Sequence, residues 1–271
     1  MQYRNYVFDL YGTLIDIHTE ESYARRPSLW KTMASLFACH GVRETPEKLA
    51  GRFFQIDREE RETLSLKLGT AIPESDVEVV FARLLHESQD TFPVTSPISP
   101  GCSVRELIDC GFARMVAEVF RIASRTRLRL FPETLDVLRK IRASGARTFL
   151  LSNAQSAYTR PELEQLGLPE YLDDIFISSE HGMMKPDPRF LQELMEKHGM
   201  HCDDTLMVGD DFHSDGQIAL HVGVRCLILD SHGQGMEKME KNALGICRLG
   251  HPEDRERITI TSGRISVLEM P

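Results

Sequence analysis

Four short stretches of polar residues each end a predicted strand or open the loop after one, and their side chains are complementary. They are "DLYGT" at residues 9–13, "SN" at 152–153, "KP" at 185–186 and "GDDFHSD" at 209–215. Because ligands bind at the carboxyl ends of the strands in an open parallel sheet, we expect the four stretches to meet in one crevice. A carboxylate there can act as a nucleophile, and a lysine can relieve the charge of an anionic substrate.

The elements that must position these stretches alternate between strand and helix patterns. Short buried strands are predicted at "RTFLLSN", "DIFIS", "TLMVGD" and "VRCLILD", and helical patterns stand between them. Pro132 is expected in the first turn of one helix, which Gly145 ends. The opening "NYVFDL" has the same buried character and is expected at the centre of the sheet. The fold class predicted is therefore α/β, a Rossmann-like parallel sheet core with helices on both faces.

Residues 17–127 lack the alternation of strand and helix patterns and are predicted to form an inserted helical domain. Apolar residues recur there at helical spacing in three stripes, around Leu29–Phe37, Val77–Leu85 and Leu107–Phe120. The segment "TFPVTSPISPG", residues 91–101, carries three prolines and predicts an irregular connection. In residues 231–271, "ITITSGRISVL" is compatible with a hairpin, an edge strand or a partly ordered tail.

Composition excludes several classes of partner. The 271 residues carry a net charge of −9, which argues against nucleic acid or an anionic membrane as the main partner. The N-terminus lacks a signal-peptide pattern, and no apolar run approaches the length of a membrane span. Six scattered cysteines without a CxxC pair favour free thiols in the cytoplasm. The sequence gives no indication of the oligomeric state.

The four stretches, in this order and strand context, resemble the motifs of the haloacid dehalogenase-like superfamily of hydrolases. The resemblance covers residues 1–16 and about 128–230, and the helical insertion stands where that family carries a type-1 cap. It implies a hydrolase core at 1–16 and 128–271 and a helical cap at 17–127. Within the core, residues 231–271 are an extension whose structure the resemblance leaves open.

The resemblance also implies a set of catalytic residues. Asp9 corresponds to the nucleophile that forms a covalent intermediate, and Lys185 to the cation that relieves charge. The donors to the substrate oxygens correspond to Thr13, Ser152 and the backbone N–H of Asn153. Judged alone, the hydroxyls of Thr13 and Ser152 are equally compatible with turn capping.

A Mg²⁺ site is implied by the same resemblance. Its ligands correspond to Asp9, the backbone carbonyl of Tyr11 and Asp210, and Asp215 corresponds to a second acid that orients the site from behind these ligands. Asp211 is an additional acid that we interpret as a solvated loop carboxylate.

Tyr11 is the main departure from the phosphatase pattern. Typical phosphatases of the superfamily have a second aspartate there, which protonates the leaving group, and a tyrosine with a pKa near 10 is a poor base at neutral pH. The dehalogenase branch has a "DxYGT" motif like this one. However, that branch lacks the paired acids that stand here as Asp210 and Asp215, and it has a tyrosine where this chain has Leu191.

The favoured function is a Mg²⁺-dependent, phosphatase-type hydrolysis of a small phosphorylated metabolite, slow or restricted to good leaving groups. The alternatives are a 2-haloacid dehalogenase and a catalytically weak binding member of the family. A dehalogenase would need a cap arginine, for which Arg25, Arg26 and Arg52 are candidates. His181 and His213 lie near the motif loops, where a loop role is favoured over replacement of the missing acid–base group.

Overall fold

The computed structural model describes residues 3–22, 25–88, 101–248, 251 and 253–269 of the chain. The chain divides into two compact units. The first comprises residues 1–17, 128–154 and 162–271, and the second comprises 18–127 and 155–161. The irregular connection predicted for "TFPVTSPISPG" lies outside the described residues, apart from Gly101.

The strands of the described residues form two sheets. Their bounds are β1 (Asn5–Phe8), β2 (Ile15–Thr19), β3 (Arg125–Leu130), β4 (Arg147–Ser152), β5 (Asp174–Ile177), β6 (Thr205–Gly209), β7 (Arg225–Leu229) and β8 (Ile258–Thr261). The first unit is built on a six-stranded sheet with the order β5-β4-β1-β6-β7-β8, in which neighbouring strands run parallel. The predicted parallel sheet is confirmed.

Strand β1 lies at the centre of this sheet, as its buried character predicted. Phe8 is in register with Leu150 of β4 on one side and with Val208 of β6 on the other. The backbone N–H of Asp9 continues the pairing by donating to the carbonyl of Val208 over 2.8 Å. The residue after β1 is therefore fixed between the ends of two neighbouring strands.

The helices complete the layers. They are α1 (Pro27–Cys39), α2 (Pro46–Leu68), α3 (Val77–Glu87), α4 (Val104–Asp109), α5 (Phe112–Ser124), α6 (Thr134–Ala143), α7 (Ser156–Gln165), α8 (Ser178–His181), α9 (Pro188–His198), α10 (Gln217–Val222), α11 (Met236–Ile246) and α12 (Glu253–Arg257). No helix in the described part of the chain is both long enough and apolar enough to cross a membrane.

Alternate side chains of the sheet enter two separate apolar clusters. Val7 belongs to a cluster that contains Phe190 of α9 and Ile218 of α10, whereas Phe8 belongs to one that contains Leu138 of α6. Because successive residues of a strand point to opposite faces, the two clusters lie on opposite sides of the sheet. The prediction of helices on both faces is confirmed.

The second unit is helical, and its core is aromatic. The Trp30 ring is fully buried and lies 5.3 Å from the Phe53 ring and 5.6 Å from the Phe120 ring, between centroids. Two details differ from the sequence patterns. Helix α2 was not predicted, and the stripe that ends at Phe120 is divided into α4 and α5, because Gly111 adopts a φ of +75° between them.

The remaining differences lie at the ends of the first unit. Strand β8, within "ITITSGRISVL", is a parallel edge strand beside β7, so the hairpin interpretation is wrong. The expected position of Pro132 in the first turn of a helix is also wrong, because α6 begins at Thr134. Strands β2 and β3 pair with each other where the chain passes between the two units, and this pairing was not predicted.

Candidate active site

Four loops at the carboxyl ends of the parallel strands bring together the acidic and basic residues. Asp9 directly follows β1, Ser152 ends β4, and Asp210 directly follows β6. Lys185 follows α8, which itself continues from β5. The convergence expected from strand order is therefore found for the charged residues whose contacts are given below.

Lys185 is the link between two of the carboxylates. Its Nζ lies 2.6 Å from Oδ1 of Asp9 and 2.7 Å from Oδ1 of Asp215, and its side chain is 1% exposed. The Asn153 side chain holds the lysine backbone. Its Nδ2 donates to the Lys185 carbonyl (2.9 Å), and its Oδ1 accepts from the Lys185 N–H (2.8 Å). The lysine is thereby fixed by two loops of the sheet.

Three carboxylates surround one small space. One oxygen from each of Asp9, Asp210 and Asp215 lies within 4.8 Å of the others. When all three are ionised they carry three negative charges against the one positive charge of Lys185. The Nε2 atom of His232 lies 2.9 Å from Oδ2 of Asp210, and this histidine adds a second positive charge only when it is protonated.

The pKa values of the three acids reflect this crowding. Burial, with the nearby charge of Asp215, raises the pKa of Asp210 to about 6. Burial also raises the pKa of Asp215 to about 6 against the opposing attraction of Lys185, and it raises the pKa of Asp9 against the same attraction. Burial lowers the pKa of Lys185, but the attractions of Asp215 and Asp9 outweigh it, so that pKa is raised and the ammonium stays charged.

A single π turn holds the second acid of the "GDDFHSD" loop. The turn spans Phe212–Gly216, and it places Oδ2 of Asp215 where the backbone N–H groups of Asp210 and Asp211 each donate to it over 3.1 Å. Asp211 itself is exposed and caps the turn by accepting from the His213 N–H at 2.9 Å. This capping contact accounts for Asp211 and agrees with its interpretation as a loop carboxylate.

Glycine allows the loop of residues 9–13 to approach Asp210. Gly12 has a φ of +90°, and a Cβ atom at this position would overlap the Asp210 carboxylate. Gly209 stands in the same relation to the Asp215 carboxylate. Two of the acids therefore lie directly against backbone, which requires a residue without a side chain at both positions.

The hydroxyl groups expected to serve as donors are buried. The Thr13 Oγ1 lies 3.4 Å from Oδ2 of Asp9. The Ser152 Oγ is completely buried and has no hydrogen-bond partner among the described residues. A buried hydroxyl without a partner is costly, so this one is an exception that a functional role would explain.

Tyr11 makes a contact that its position in the motif did not predict. Its hydroxyl donates to Oε2 of Glu162 on α7 over 2.6 Å. Its ring packs against the apolar cluster that contains Phe8 and Leu10. Both ends of the side chain are therefore engaged within the first unit.

Several other candidates have partners elsewhere. His181 pairs with Glu193 (2.9 Å), and Arg52 forms ion pairs with Glu59 and Glu87. Arg26 donates to the Ser124 carbonyl, whereas the Arg25 side chain is exposed. The histidine that the structure brings to the acidic cluster is instead His232, in the loop after β7. A lone loop histidine carries no motif, so the sequence offered no signal for it.

The donors of this cluster suit Mg²⁺. The cluster offers carboxylate oxygens, which hard cations prefer, and a net negative charge that a divalent cation would neutralise. Asp9 and Asp210 are the residues that would hold it, with Asp215 fixed behind them by its bonds to Lys185 and the backbone. Burial and neighbouring negative charge raise the pKa values of Asp210 and Asp215, and a bound divalent cation would favour their ionised forms.

Comparison with known proteins identifies the class of the chain. Residues 3–223 match the family model described as "haloacid dehalogenase-like hydrolase". A phosphoserine phosphatase of Thermus thermophilus is 32% identical over 138 residues, covering 51% of this chain and 54% of that protein. A glyceraldehyde 3-phosphate phosphatase of Methanothermobacter thermautotrophicus is 29% identical over 121 residues, covering 44% of this chain and 54% of that protein. The chain thus spans about half the length of these curated relatives.

A solved structure shows the same fold over most of the chain. It is that of a 2-haloacid dehalogenase from Pseudomonas syringae pv. Tomato DC3000, with a TM-score of 0.59 and 19% identity. The match covers 87% of this chain and 90% of the other. At this identity the likeness concerns the fold.

Proposed function

Because this chain belongs to the haloacid dehalogenase-like family of hydrolases, we propose that it is a Mg²⁺-dependent phosphohydrolase acting on a small phosphorylated metabolite. The observation that carries the proposal is the meeting of Asp9, Asp210 and Asp215 beside Lys185. A nucleophilic acid that shares its site with two further acids suits a cation-dependent attack on an anionic group.

The proposed reaction has two displacements at phosphorus. An oxygen of Asp9 attacks the phosphoryl group, the bond from phosphorus to the leaving oxygen breaks, and the leaving group departs with the electron pair. Water then attacks the aspartyl phosphate, which releases phosphate and restores the Asp9 carboxylate. Bound Mg²⁺ supplies charge neutralisation for the anionic phosphoryl group.

The other residues of the site hold and neutralise the transferred group. Lys185 Nζ, which lies 2.6 Å from Asp9, counters the charge that develops on the phosphoryl oxygens. In this proposal those oxygens accept hydrogen bonds from the hydroxyls of Ser152 and Thr13 and from the backbone N–H of Asn153. The Asn153 side chain holds the Lys185 segment in place.

Tyr11 restricts which leaving groups this site can expel. Its hydroxyl proton is directed to Glu162, and no second aspartate stands at this position to protonate a departing alkoxide. General acid help is typically worth about 10²–10⁴-fold, so alkyl phosphates lose most from its absence. We therefore expect acyl phosphates and aryl phosphates, whose leaving groups are stable anions, to be the better substrates.

The two units take different roles in this proposal. The first unit is the hydrolase core, and the helical second unit serves as the cap that selects the substrate. A cytoplasmic location belongs to the same proposal and is supported by six free cysteines.

A panel of phosphate compounds with and without Mg²⁺ tests the function. We expect the purified chain to hydrolyse acetyl phosphate and p-nitrophenyl phosphate in Mg²⁺, with phosphoserine and glyceraldehyde 3-phosphate slower. EDTA should abolish turnover, and Asp9→Asn should lower it by about 10³-fold or more. Absence of turnover across the panel, together with no heat of Mg²⁺ binding, would refute the proposal.

A 2-haloacid dehalogenase remains the second candidate because of Tyr11 in "DLYGT". A halide leaves without a proton and needs no general acid. Chloride release from 2-chloropropionate in EDTA, lost in Asp9→Asn, would establish this activity instead. The third candidate is a binding protein without catalysis. In that case the Asp9→Asn variant should complement a deletion strain as fully as the unmodified chain does.

A further inference from the structure

Glu162 is a buried acid whose carboxylate contacts the nucleophile loop. It is 3% exposed, lies on α7 and accepts the hydroxyl proton of Tyr11 at 2.6 Å. The two residues are 151 positions apart in the chain. A carboxylate is expensive to bury unless it is hydrogen-bonded, and hydrogen bonds to charged groups are the stronger ones. The contact is therefore a substantial restraint on Tyr11.

Tyr11 occupies the middle of the loop that carries the nucleophile. Asp9 lies two residues before it. Gly12 comes directly after it, and the Asp210 carboxylate lies so close to Gly12 that a Cβ atom would not fit there. The backbone is also tied locally, because Tyr11 forms a bridge with Ile15 and the Gly12 N–H donates to the Ile15 carbonyl over 2.8 Å. A restraint on the Tyr11 side chain is thus passed within one or two residues to Asp9 and to the backbone facing Asp210.

We propose that Glu162 is a positioning residue, which anchors the nucleophile loop through the Tyr11 hydroxyl and so holds the loop in the shape that binds Mg²⁺. This inference rests on the proposed function, since it assumes that Asp9 and the Tyr11 carbonyl serve the cation. The Tyr11 hydroxyl then has a structural role. Tyr11 holds the loop in place, and Glu162 on helix α7 accepts its hydrogen bond.

A double-mutant cycle in the full chain tests the anchor, with Mg²⁺ affinity measured by isothermal titration calorimetry in the absence of substrate. The variants are Tyr11→Phe, Glu162→Leu, their combination, and Glu162→Gln. We expect Tyr11→Phe and Glu162→Leu each to weaken Mg²⁺ binding by about tenfold, with no further loss in the combination, because both remove one shared bond. Glu162→Gln should stay within about twofold of the unmodified chain, because its amide oxygen can still accept the Tyr11 proton.

Controls separate the anchor from general stability and from the proposed function. Glu164→Leu makes the same change at an exposed position of the same helix and should leave Mg²⁺ affinity unchanged. Unmodified Mg²⁺ affinity in Tyr11→Phe, or losses that multiply in the combined variant, would overturn the anchor while leaving the phosphohydrolase proposal intact. If Glu162→Leu does not fold, Tyr11→Phe alone decides. An unmodified chain that binds no Mg²⁺ would overturn both proposals.

Discussion

The carboxylates of the site differ in how closely a positive charge compensates each of them. Lys185 contacts Asp9 and Asp215 within 2.7 Å, whereas Asp210 faces His232, whose side chain is 65% exposed. Asp210 therefore has the weaker compensation for its charge. In the metal-free protein this acid opposes folding, and in the metal-bound protein it is expected to be a ligand.

The raised pKa of Asp210 fixes the direction in which the stability of the metal-free protein changes with pH. Because that pKa moves from 3.8 to about 6 on folding, the folded chain holds more protons than the unfolded chain between these values. Stability from this group is full below about pH 4 and is lost as the pH rises through 6. In EDTA at pH 7.5, Asp210→Asn should therefore raise the free energy of unfolding by about 2 kcal/mol, measured by urea denaturation.

The same variant should behave differently when the conditions change. The gain over the unmodified chain should shrink towards zero below about pH 3, where the aspartate is protonated in both states. In saturating Mg²⁺ at pH 7.5 the order should reverse, because only the unmodified chain is stabilised by the cation. A gain that is independent of pH would show that the charge of Asp210 is not its cause.

At the scale of single residues, sequence patterns located the site acids but missed two residues in contact with the site, one beside Tyr11 and one beside Asp210. Asp9 and Asp210 were predicted because each directly follows a strand, and Lys185 and Asp215 because they stand in recognisable motifs further along the loops. The contacts of Glu162 and His232 depend on how α7 and the loop after β7 pack. An acid in a helix and a histidine in a loop carry no local signal of that packing.

At the scale of the elements, the loop of residues 9–13 depends on a glycine that lies against a carboxylate. Gly12 combines a φ of +90° with a close approach of Asp210. Gly145, at the end of α6, has a φ of +83°, and a Cβ atom there would meet nothing within 4 Å. The two glycines therefore share their backbone conformation and differ in the space around them.

Alanine at these two positions should give different results. Each substitution should cost about 1 kcal/mol of stability from the positive φ. Gly12→Ala should also displace the loop from Asp210 and lower phosphatase activity by about 100-fold or more, since small misplacements in a site are costly. Gly145→Ala should keep its kcat, and equal losses of activity in the two variants would contradict the argument.

In the second unit, Gln155 ties the segment before α7 to the start of α3. Its Nε2 donates to Glu74 and to the Ser75 carbonyl, and its Oε1 accepts from the Val77 N–H at 2.8 Å. Gln155→Leu should lower the free energy of unfolding by about 2 kcal/mol, because it removes three hydrogen bonds, two of them to backbone groups. Gln165→Leu, at an exposed position of α7, is the matched control in the same urea titration, and it should change stability little.

Element prediction succeeded where apolar spacing decided the structure. The stripes around Leu29–Phe37 and Val77–Leu85 correspond to α1 and α3. Helix α2 was not predicted because its 23 residues are rich in charge and bury only four side chains. Strand β8 could not be told from a hairpin arm because both have the same alternating pattern, and its pairing with β7 depends on a distant segment.

At the scale of the whole molecule, the site belongs to the first unit, and Mg²⁺ should protect that unit selectively. Hydrogen exchange should slow at residues 9–13 and 209–216, by up to about 100-fold when Mg²⁺ exceeds its Kd a hundredfold. Helices α1–α3 of the second unit should exchange at the same rate with and without the cation. Asp210→Asn should abolish the effect, and protection spread evenly over both units would contradict it.

The central place of β1 has a consequence for the chain as it leaves the ribosome. β1 is made first, yet Asn5 pairs with Arg147 and Thr205, which are made far later. At about 5–20 residues per second, β1 waits roughly 7–30 s for its first neighbouring strand. Its apolar side chains are without their sheet partners during that time, while residues 18–127 of the helical unit are already complete. A chaperone that shields β1 would therefore be most useful in this interval.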